Sequence, residues 1–470
     1  MNGTTNGHGH GAEVPVTKIF ASFVADASTK QLTPDLRTKI KEVIIDYIGV
    51  VVGGMKYAES SEPIYNAVVA LQGKGNRGNS TVLGKGKPHM LPQYAALLNS
   101  AFGHSWDFDD TYADGVLHAG ITAISASMTQ AELLGESVSG DEFMLAISVG
   151  YEVTCRLSRE IGTYAYDRGF HNTGTAGIFG AVAAIAVLRK LSAEMIEMAF
   201  GIAGSKAAGS LQFLENGSWN KRLNPGFAVH DAFVCVELAE AGVIGATKIF
   251  EGKMGFLKGY SSKPKKDLEG MVAGLGSEWV WMSSSLKPYP ACRWTHGLIE
   301  MAGDIHSSRT IKAEDIQAIT LTMSPHAVPI VGERTENKLR PLNNIDAQFS
   351  AYFQAANALL YGSATGIQAY RRLDDPKILA LCSRTTVDAD PSLQGFATRL
   401  RIHSVGGKSE EHVLDFPLGE TQRPFTRDKV DEKFMGLARG VYGASQVRKI
   451  IQVIDGIEGH QVADLIRLLR

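Results

Sequence analysis

The sequence predicts a mainly α protein in which a large all-helical domain is followed by a smaller α+β domain. Its 470 residues are more than one hydrophobic core usually serves, so at least two domains are expected. Apolar residues recur at helical spacing as far as about residue 260, whereas strand alternation and a hairpin signal come later. We place a disordered tail at residues 1–15, the helical domain at 16–270, the α+β domain at 271–416 and further helices at 417–470.

The helical prediction is clearest after residue 32. Thr33 is a typical N-cap, and Pro34 fits the first helical turn. Apolar residues then form one stripe, and we expect the Gly53–Gly54 pair to end this helix. The same periodicity predicts further helices within 91–102, 121–135, 140–161, 175–191, 192–204 and 226–242.

Strand signals follow the helical part of the chain. In residues 316–324, Ile319 and alternate neighbours are apolar, as in a half-buried strand. Residues 398–416 predict a hairpin whose turn is the Gly406–Gly407 pair. Helix periodicity returns towards the end of the chain, which is the basis for the last predicted range.

Composition excludes several classes of partner. The 47 lysines and arginines and the 49 aspartates and glutamates are spread along the chain, so we expect no nucleic acid partner. The four cysteines lie far apart without a CxxC motif, which argues against a zinc module or an iron–sulfur cluster.

Targeting signals are also missing from the sequence pattern. The Gly-, Asn- and His-rich start resembles no signal or transit peptide, so we expect a cytoplasmic protein and leave a mitochondrial location open. The most apolar stretch, 175–188, is shorter than the roughly 20 residues of a membrane span. We therefore expect a buried helix there and no membrane partner.

One polar segment stands between two apolar stretches: HSWDFDDTYADGVLHAG, residues 104–120. It contains Asp107, Asp109, Asp110, Thr111 and His118. Such a segment is either a solvated loop with helix-capping aspartates or part of an active site. The segment alone leaves both interpretations open, and Asp109 and Asp110 are its candidates to cap or brace the loop.

Two further histidines lie in Gly-, Thr- or Pro-rich backbone. His171 lies in RGFHNTGTAG, and LKPYPACRWTH contains Lys287, Arg293 and His296. A lone histidine is usually structural, but three in such settings favour a functional cluster. Cys292 precedes His296 by four residues, which allows a Cys/His nucleophile pair; the alternative is a cysteine that packs or lines a pocket.

Lys221 and Arg222 stand at the predicted start of an apolar helix in NGSWNKRLNPGFAVH. A helix N-terminus with two cations could hold an anion, and the alternative is an ordinary solvated basic pair. GIAGSKAAGS, residues 201–210, neither matches the phosphate-loop pattern nor follows a predicted strand. DFDD lacks the spacing of a calcium loop. We therefore expect neither a nucleotide cofactor nor a metal.

Several phrases resemble the MmgE/PrpD family in order and spacing: DFDDT, GFHNTGTAGIFGA, NKRLNPGFA, EGKMGFLKGYS and KPYPACRWTH. PLNNIDAQFS, residues 341–350, extends the likeness into the smaller domain. The family includes 2-methylcitrate dehydratase, cis-aconitate decarboxylase and an iminodisuccinate epimerase. The resemblance implies a large helical domain completed by the C-terminal helices, an α+β lid domain and a homodimer.

The resemblance also implies an active site between the two domains that needs no cofactor. Its catalytic residues would be Asp107, Thr111, His118, His171, Lys221 and His296. Its substrate contacts would include Arg222, Arg293 and Tyr352. Two departures from the family pattern are Leu117-His118-Ala119-Gly120 in place of a His-Pro-Ser, and Asn172-Thr173, which would alter the carboxylate pocket.

The resemblance thus predicts a cofactor-independent lyase that acts on a small citrate- or aconitate-like tricarboxylate. Dehydration of 2-methylcitrate or another alkylcitrate is the first expectation, with His118 or His171 as the base and Lys221 neutralising the substrate. Decarboxylation of cis-aconitate to itaconate is the alternative, because the same residues serve both reactions. An epimerase or isomerase of a related polycarboxylate and a catalytically silent structural dimer also stay open.

Overall fold

The structure is a computed structural model that describes residues 14–73, 75, 77–86, 89–309 and 311–470. Most of the predicted tail at 1–15 therefore lies outside the described residues. Helices make up the first part of the chain: α1 Val16–Ala25, α2 Pro34–Tyr57, α3 Ser61–Gln72, α4 Pro92–Gly103, α5 Gly120–Leu134, α6 Gly140–Tyr166, α7 Asn172–Arg189, α8 Ala193–Ala203, α9 Asn220–Glu240, α10 Phe256–Tyr260 and α11 Leu268–Val272.

The second part of the chain mixes helices and strands and ends in helices. Its elements are α12 His296–Ser308, β1 Ile316–Met323, α13 Glu336–Leu339, α14 Asn344–Gln348, α15 Ala351–Tyr361, α16 Pro376–Ser383, β2 Thr385–Ala389, β3 Thr398–Ser404, β4 Ser409–Leu414, α17 Arg427–Asp455 and α18 Val462–Leu468. This arrangement confirms the predicted fold class, a mainly α protein with a smaller α+β domain.

Helix α2 begins as predicted and runs past its predicted end. The Thr33 hydroxyl accepts a hydrogen bond from the Leu36 N–H at 3.3 Å, which caps the first turn. The prediction that Gly53–Gly54 ends the helix is wrong, because α2 continues to Tyr57. These glycines serve packing instead: a Cβ on the second would lie 1.8 Å from the carbonyl oxygen of Phe102 in α4.

The described strands form one four-stranded sheet in the order β2-β1-β3-β4. Strand β1 pairs in parallel with β2 and antiparallel with β3, and β3 pairs antiparallel with β4. The predicted hairpin at 398–416 is confirmed: Gly406 and Gly407 form its turn with φ of 89° and 81°, which favour glycine. Ile319, Leu321 and Met323 are buried, as their alternation predicts.

Two hydrophobic clusters organise the packing. The larger joins the helices of the first part with α17 and α18, and α17 lies along α2. The smaller joins the sheet with α12, α15 and α16. Trp281 and Leu286 belong to the larger cluster, so the packing changes after Leu286 rather than at residue 270.

Helix α7 is long and apolar enough to cross a membrane by length and composition alone, yet 89% of that segment is buried inside the protein. It packs between α5, α6 and α9. A Cβ on Gly180 would lie 2.3 Å from the carbonyl oxygen of Gly150 in α6, so the two helices approach closely here. The apolar run at 175–188 is therefore the buried helix that the sequence predicts.

Candidate active site

A cavity of about 380 Å³ lies where loops of the helical part meet loops of the α+β part. Five of the six predicted catalytic residues line it: Asp107, Thr111, His118, His171 and Lys221. From the α+β side and the segment before α17, it is lined by Cys292, Arg293 and Glu420 among others. His296 is fully buried and is not part of the lining.

The carboxylate of Asp107 lies at the centre of a buried charge cluster. Its Oδ1 is 2.8 Å from Lys221 Nζ, 3.1 Å from Lys287 Nζ and 3.3 Å from His118 Nε2. Burial opposes ionisation of Asp107, but the two ammonium charges outweigh it and hold its pKa well below the usual range. Lys221 lines the cavity as well as facing Asp107, so one cation of this cluster is placed to meet an anionic ligand.

Asp107 also has a left-handed backbone, with φ of 50°. Aspartate tolerates this conformation better than most residues. Lys287 stabilises it, because its ammonium donates to the main-chain oxygen of Asp107 as well as facing the carboxylate. The Lys287 side chain is fully buried, and this burial lowers its pKa. Lys287 does not line the cavity itself, and its contacts hold Asp107 in position.

His104 and Asp109 form a layer behind Asp107. His104 Nδ1 lies 2.8 Å from Asp109 Oδ2, and its Nε2 lies 2.9 Å from Lys221 Nζ. An ammonium group only donates, so Nε2 accepts and Nδ1 carries the proton. Burial lowers the pKa of His104 to about 3, which keeps this ring neutral. Lys221 therefore directs two of its N–H bonds at Asp107 and His104 and keeps one for the cavity.

His118 lies between two carboxylates. Its Nδ1 is 3.2 Å from Asp109 Oδ1, and its Nε2 faces Asp107. His104, Asp109 and His118 offer possible metal-ligand atoms within 4.8 Å of one another. However, one nitrogen of His104 carries its proton and the other accepts from Lys221, so this ring has no free lone pair for a metal. His104 is thus joined to Asp109 and Lys221 by hydrogen bonds, whereas His118 Nδ1 has no hydrogen-bond partner among the described residues.

His171 is the N-cap residue of α7 and lines the cavity. Its Nδ1 accepts a hydrogen bond from the Asn224 amide at 3.0 Å, so Nε2 carries the proton. Burial, reinforced by the charge of Lys221, lowers the pKa of His171 well below its usual range. This ring is a neutral hydrogen-bond donor at the cavity.

Asn172 and Thr173 hold the loop of His118 in place. The Asn172 amide donates to the main-chain oxygens of Gly115 and Gly162 at 2.9 and 2.8 Å. The Thr173 hydroxyl accepts from the His118 N–H at 3.2 Å. Neither residue lines the cavity, so the predicted change to the carboxylate pocket is replaced by a structural role in the loop.

The prediction that Asp109 and Asp110 cap or brace the loop is confirmed. Asp110 Oδ1 accepts from the N–H of Gly120, the first residue of α5, at 3.1 Å. Burial raises the pKa of Asp110 to about 8. The Thr111 backbone forms a bridge with Ser285, and the two hydroxyls lie 3.0 Å apart. Thr111 therefore joins the loop to the segment that leads to Lys287.

Arg293 is anchored by buried partners on the other side of the cavity. Its Nε donates to Glu420 Oε1 at 2.6 Å, and its Nη1 donates to His296 Nδ1 at 2.8 Å. His296 Nε2 carries the proton, since it lies 3.0 Å from the main-chain oxygen of Ala291. Burial lowers the pKa of His296 well below its usual range. His296 is thus placed to orient Arg293, and it does not line the cavity.

Cys292 lines the cavity without forming a Cys/His pair. Both ring nitrogens of His296 are engaged by Arg293 and Ala291. Burial raises the pKa of the Cys292 thiol to about 12, so it stays protonated. The interpretation of this cysteine as a pocket-lining residue is therefore the correct one.

Two predicted substrate contacts point away from the cavity. Arg222 donates to Ser60 Oγ at 2.6 Å and to Glu59 Oε1 at 2.9 Å. The Tyr352 hydroxyl donates to the main-chain oxygen of Gly332 at 2.8 Å. Neither residue lines the cavity, so both assignments are corrected. Successive helical residues point about 100° apart, which is why Arg222 cannot follow its neighbour Lys221 into the site.

Comparison with known families covers most of the chain. The MmgE/PrpD N-terminal domain matches residues 18–269, and the MmgE/PrpD C-terminal domain matches residues 289–458. The chain belongs to the MmgE/PrpD family. The family resemblance drawn from the sequence motifs is confirmed.

Relatives align with this MmgE/PrpD chain over nearly its whole length. A cis-aconitate decarboxylase-like protein, oryM, of Aspergillus oryzae is 26% identical, over 97% of this chain and 97% of its own. The cis-aconitate decarboxylase of Aspergillus terreus is 26% identical, over 95% of this chain and 94% of its own. The cis-aconitate decarboxylase of Mus musculus is 24% identical, over 97% of this chain and 93% of its own.

Sequence reasoning did not select three residues of this MmgE/PrpD site: His104, Lys287 and Glu420. His104 opens the HSWDFDD segment and Lys287 opens KPYPACRWTH, so both stand at the edge of a chemically informative motif. Glu420 has no comparable motif and is brought to Arg293 only by the fold.

Proposed function

We propose that the chain is a lyase that binds a citrate- or aconitate-like polycarboxylate and decarboxylates it without a cofactor. The observation that carries this proposal is the buried ammonium of Lys221, which faces Asp107 and lines the cavity together with His171 and Arg293. The relatives named cis-aconitate decarboxylase favour decarboxylation over the dehydration that the sequence analysis put first.

Substrate binding uses the hydrogen-bond donors that face the cavity. Lys221 has an N–H left after its bonds to Asp107 and His104, and His171 presents its Nε2–H. The Thr111 hydroxyl and the Arg293 guanidinium also line the cavity. A carboxylate held by these groups replaces its hydration with fixed donors in a partly dry site.

In the proposed decarboxylation, the bond between a carboxylate carbon and its neighbour breaks and CO₂ leaves. The electron pair moves into the conjugated system of the remaining acid, and Lys221 stabilises the charge that develops there. His118 delivers the proton that completes the product at carbon, since 11% of its side chain is exposed and two aspartates hold its ring. Asp107 and Thr111 orient these groups.

Mass spectrometry of the EDTA-treated protein with cis-aconitate, 2-methylcitrate and citrate, each tested separately, checks the proposal. We expect loss of CO₂ from cis-aconitate. Lys221→Met should lower this rate by about 10²–10³-fold, because it removes a preorganised charge and keeps the length of the side chain. Lys253→Met removes an exposed lysine and should leave the rate unchanged.

The other outcomes discriminate between reactions. Loss of water from 2-methylcitrate or citrate, with no CO₂ released, would show that the protein is a dehydratase that uses the same site. Deuterium taken from D₂O into a substrate of otherwise unchanged composition would indicate an epimerase or isomerase. Unchanged substrates would overturn the proposal and favour a catalytically silent dimer. Full activity in Lys221→Met would contradict the role proposed for Lys221.

A further inference from the structure

Part of the cavity lining is apolar and belongs to loops of the α+β domain and the segments beside it. Trp294, Phe396, Phe416 and Pro417 form this apolar wall. Phe416 keeps 45% of its surface exposed, although a large aromatic ring gains free energy when it is buried. The wall lies in the same cavity as the charged groups but takes no part in the cluster around Asp107.

The apolar wall is continuous with the polar part of the site. The rings of Trp294 and Phe396 meet edge to face with centroids 4.8 Å apart, a favourable aromatic geometry. The guanidinium of Arg293 lies 5.6 Å from the centre of the Phe396 ring, and the same guanidinium is held by Glu420. A ligand anchored near Arg293 therefore meets the wall directly.

The charges of the described lining residues limit how many carboxylates the cavity can hold. Arg293 is paired with Glu420, and Lys221 is paired with Asp107. The exposed acids Asp114 and Asp415 also line the cavity, and they repel further negative charge. The side chains of Phe396, Phe416 and Pro417 offer a carboxylate no hydrogen-bond donor in return for its lost hydration.

We propose that the substrate carries an alkyl substituent longer than a methyl group and that this hydrocarbon chain packs on the apolar wall. The inference rests on the proposed function, since the carboxylate end of the molecule binds beside Asp107. The substrate class is then an alkyl-substituted tricarboxylate. Each methylene buried against the wall should strengthen binding about fourfold, and a small tricarboxylate has no group that would gain from this surface.

Isothermal titration calorimetry with 2-alkyltricarballylates tests the inference apart from turnover, because these saturated acids have no double bond or hydroxyl to react. We expect Kd to fall about fourfold per added methylene from methyl to hexyl, until the chain extends past the wall. A Kd that is constant or that rises with chain length would overturn the inference.

Substitutions in the wall locate the effect. Phe416→Ser should lower the ratio of hexyl to methyl affinity by about tenfold, because it removes an aromatic contact surface. Val413→Ser changes a residue of β4 that is 53% exposed and outside the lining, so it should leave this ratio unchanged. An equal ratio in Phe416→Ser and the parent protein would contradict the assignment of the wall.

Turnover separates this inference from the proposed function. Alkyl-substituted aconitates and citrates are offered to the parent protein, and loss of CO₂ or water is measured by mass spectrometry. Turnover that does not depend on chain length, together with a flat calorimetric series, would leave the proposed function standing and remove the inference. Affinity that rises with chain length without any turnover would support binding of the alkyl chain to the apolar wall and would overturn the proposed lyase activity.

Discussion

Asp107 and Val116 are two residues of one loop that adopt left-handed backbone conformations, with φ of 50° and 51°, and both line the cavity. This conformation is uncommon for aspartate and a genuine outlier for a β-branched residue. It persists only because the surroundings hold it, here through the bond from Lys287 to the Asp107 main-chain oxygen. Strain of this kind is typical of loops that place functional side chains.

His118 and His296 should respond differently to substitution, because His118 lines the cavity whereas His296 contacts Arg293 from outside it. His118→Gln should lower kcat by about 10²–10⁴-fold, since it removes the proposed proton donor. His296→Gln should mainly raise KM, because the histidine acts through the orientation of Arg293. Steady-state kinetics with the preferred substrate measures both effects, and circular dichroism checks the fold.

His306→Gln is the matched control, since this exposed histidine lies on the same helix as His296, away from the cavity. Its kcat and KM should equal those of the parent protein. A loss of kcat in His296→Gln as large as that in His118→Gln, at unchanged KM, would show that His296 takes part in the chemistry directly.

At the scale of the elements, α17 fixes the loops of the site from the far end of the chain. Lys433 Nζ lies 2.6 Å from Asp46 Oδ1 in α2. It also donates to the main-chain oxygens of Phe108 and Lys287, at 2.7 and 3.0 Å. One buried ammonium thus joins α2 and α17 to both loops that carry the charge cluster.

Lys433→Met should destabilise the protein by about 3–5 kcal/mol, because it leaves Asp46 buried without its opposite charge. Urea denaturation followed by circular dichroism measures this loss. The double variant Asp46→Asn/Lys433→Met should recover part of it, since the uncompensated charge is gone. Lys449→Met on the exposed side of the same helix should change stability little. If Lys433→Met alone were as stable as the parent, Lys433 would not be what holds α2, α17 and the two loops together.

The sequence predicted elements better where local chemistry decides them. Thr33 begins α2 and Gly406–Gly407 turns the hairpin as expected, because caps and turns depend on a few neighbouring residues. The predicted end of α2 was wrong. The two glycines Gly53 and Gly54 do not end the helix but allow its close contact with Phe102 in α4 and with Leu437 in α17. That requirement exists only in the folded chain.

At the scale of the whole molecule, the site joins segments that are far apart in the sequence. The motifs were enough to place Asp107, His118 and Lys221 in one region. They could not show that Arg222 turns towards Glu59, or that Glu420 meets Arg293, because both depend on how helices and loops pack. The homodimer stays a prediction, since one chain does not test it.

Burial of several histidines makes the stability of the whole molecule depend on pH. His171 has a folded pKa well below its usual value of about 6.5, whereas the unfolded chain binds the proton normally. Below about pH 6.5 the unfolded state therefore takes up a proton that the folded state refuses, and stability falls as the pH falls.

His171→Gln isolates this contribution, because the other titrating groups are shared by both proteins. The stability of the parent relative to His171→Gln should fall by about 1 kcal/mol for each pH unit below 6.5 and stay constant above pH 7.5. Urea denaturation at pH 8, 6.5 and 5.5 measures the difference. His460→Gln replaces an exposed histidine and should follow the parent far more closely across this range. Parallel curves for the parent and His171→Gln would mean that the folded protein accepts the proton at His171, and the neutral donor assigned to the cavity would then be wrong.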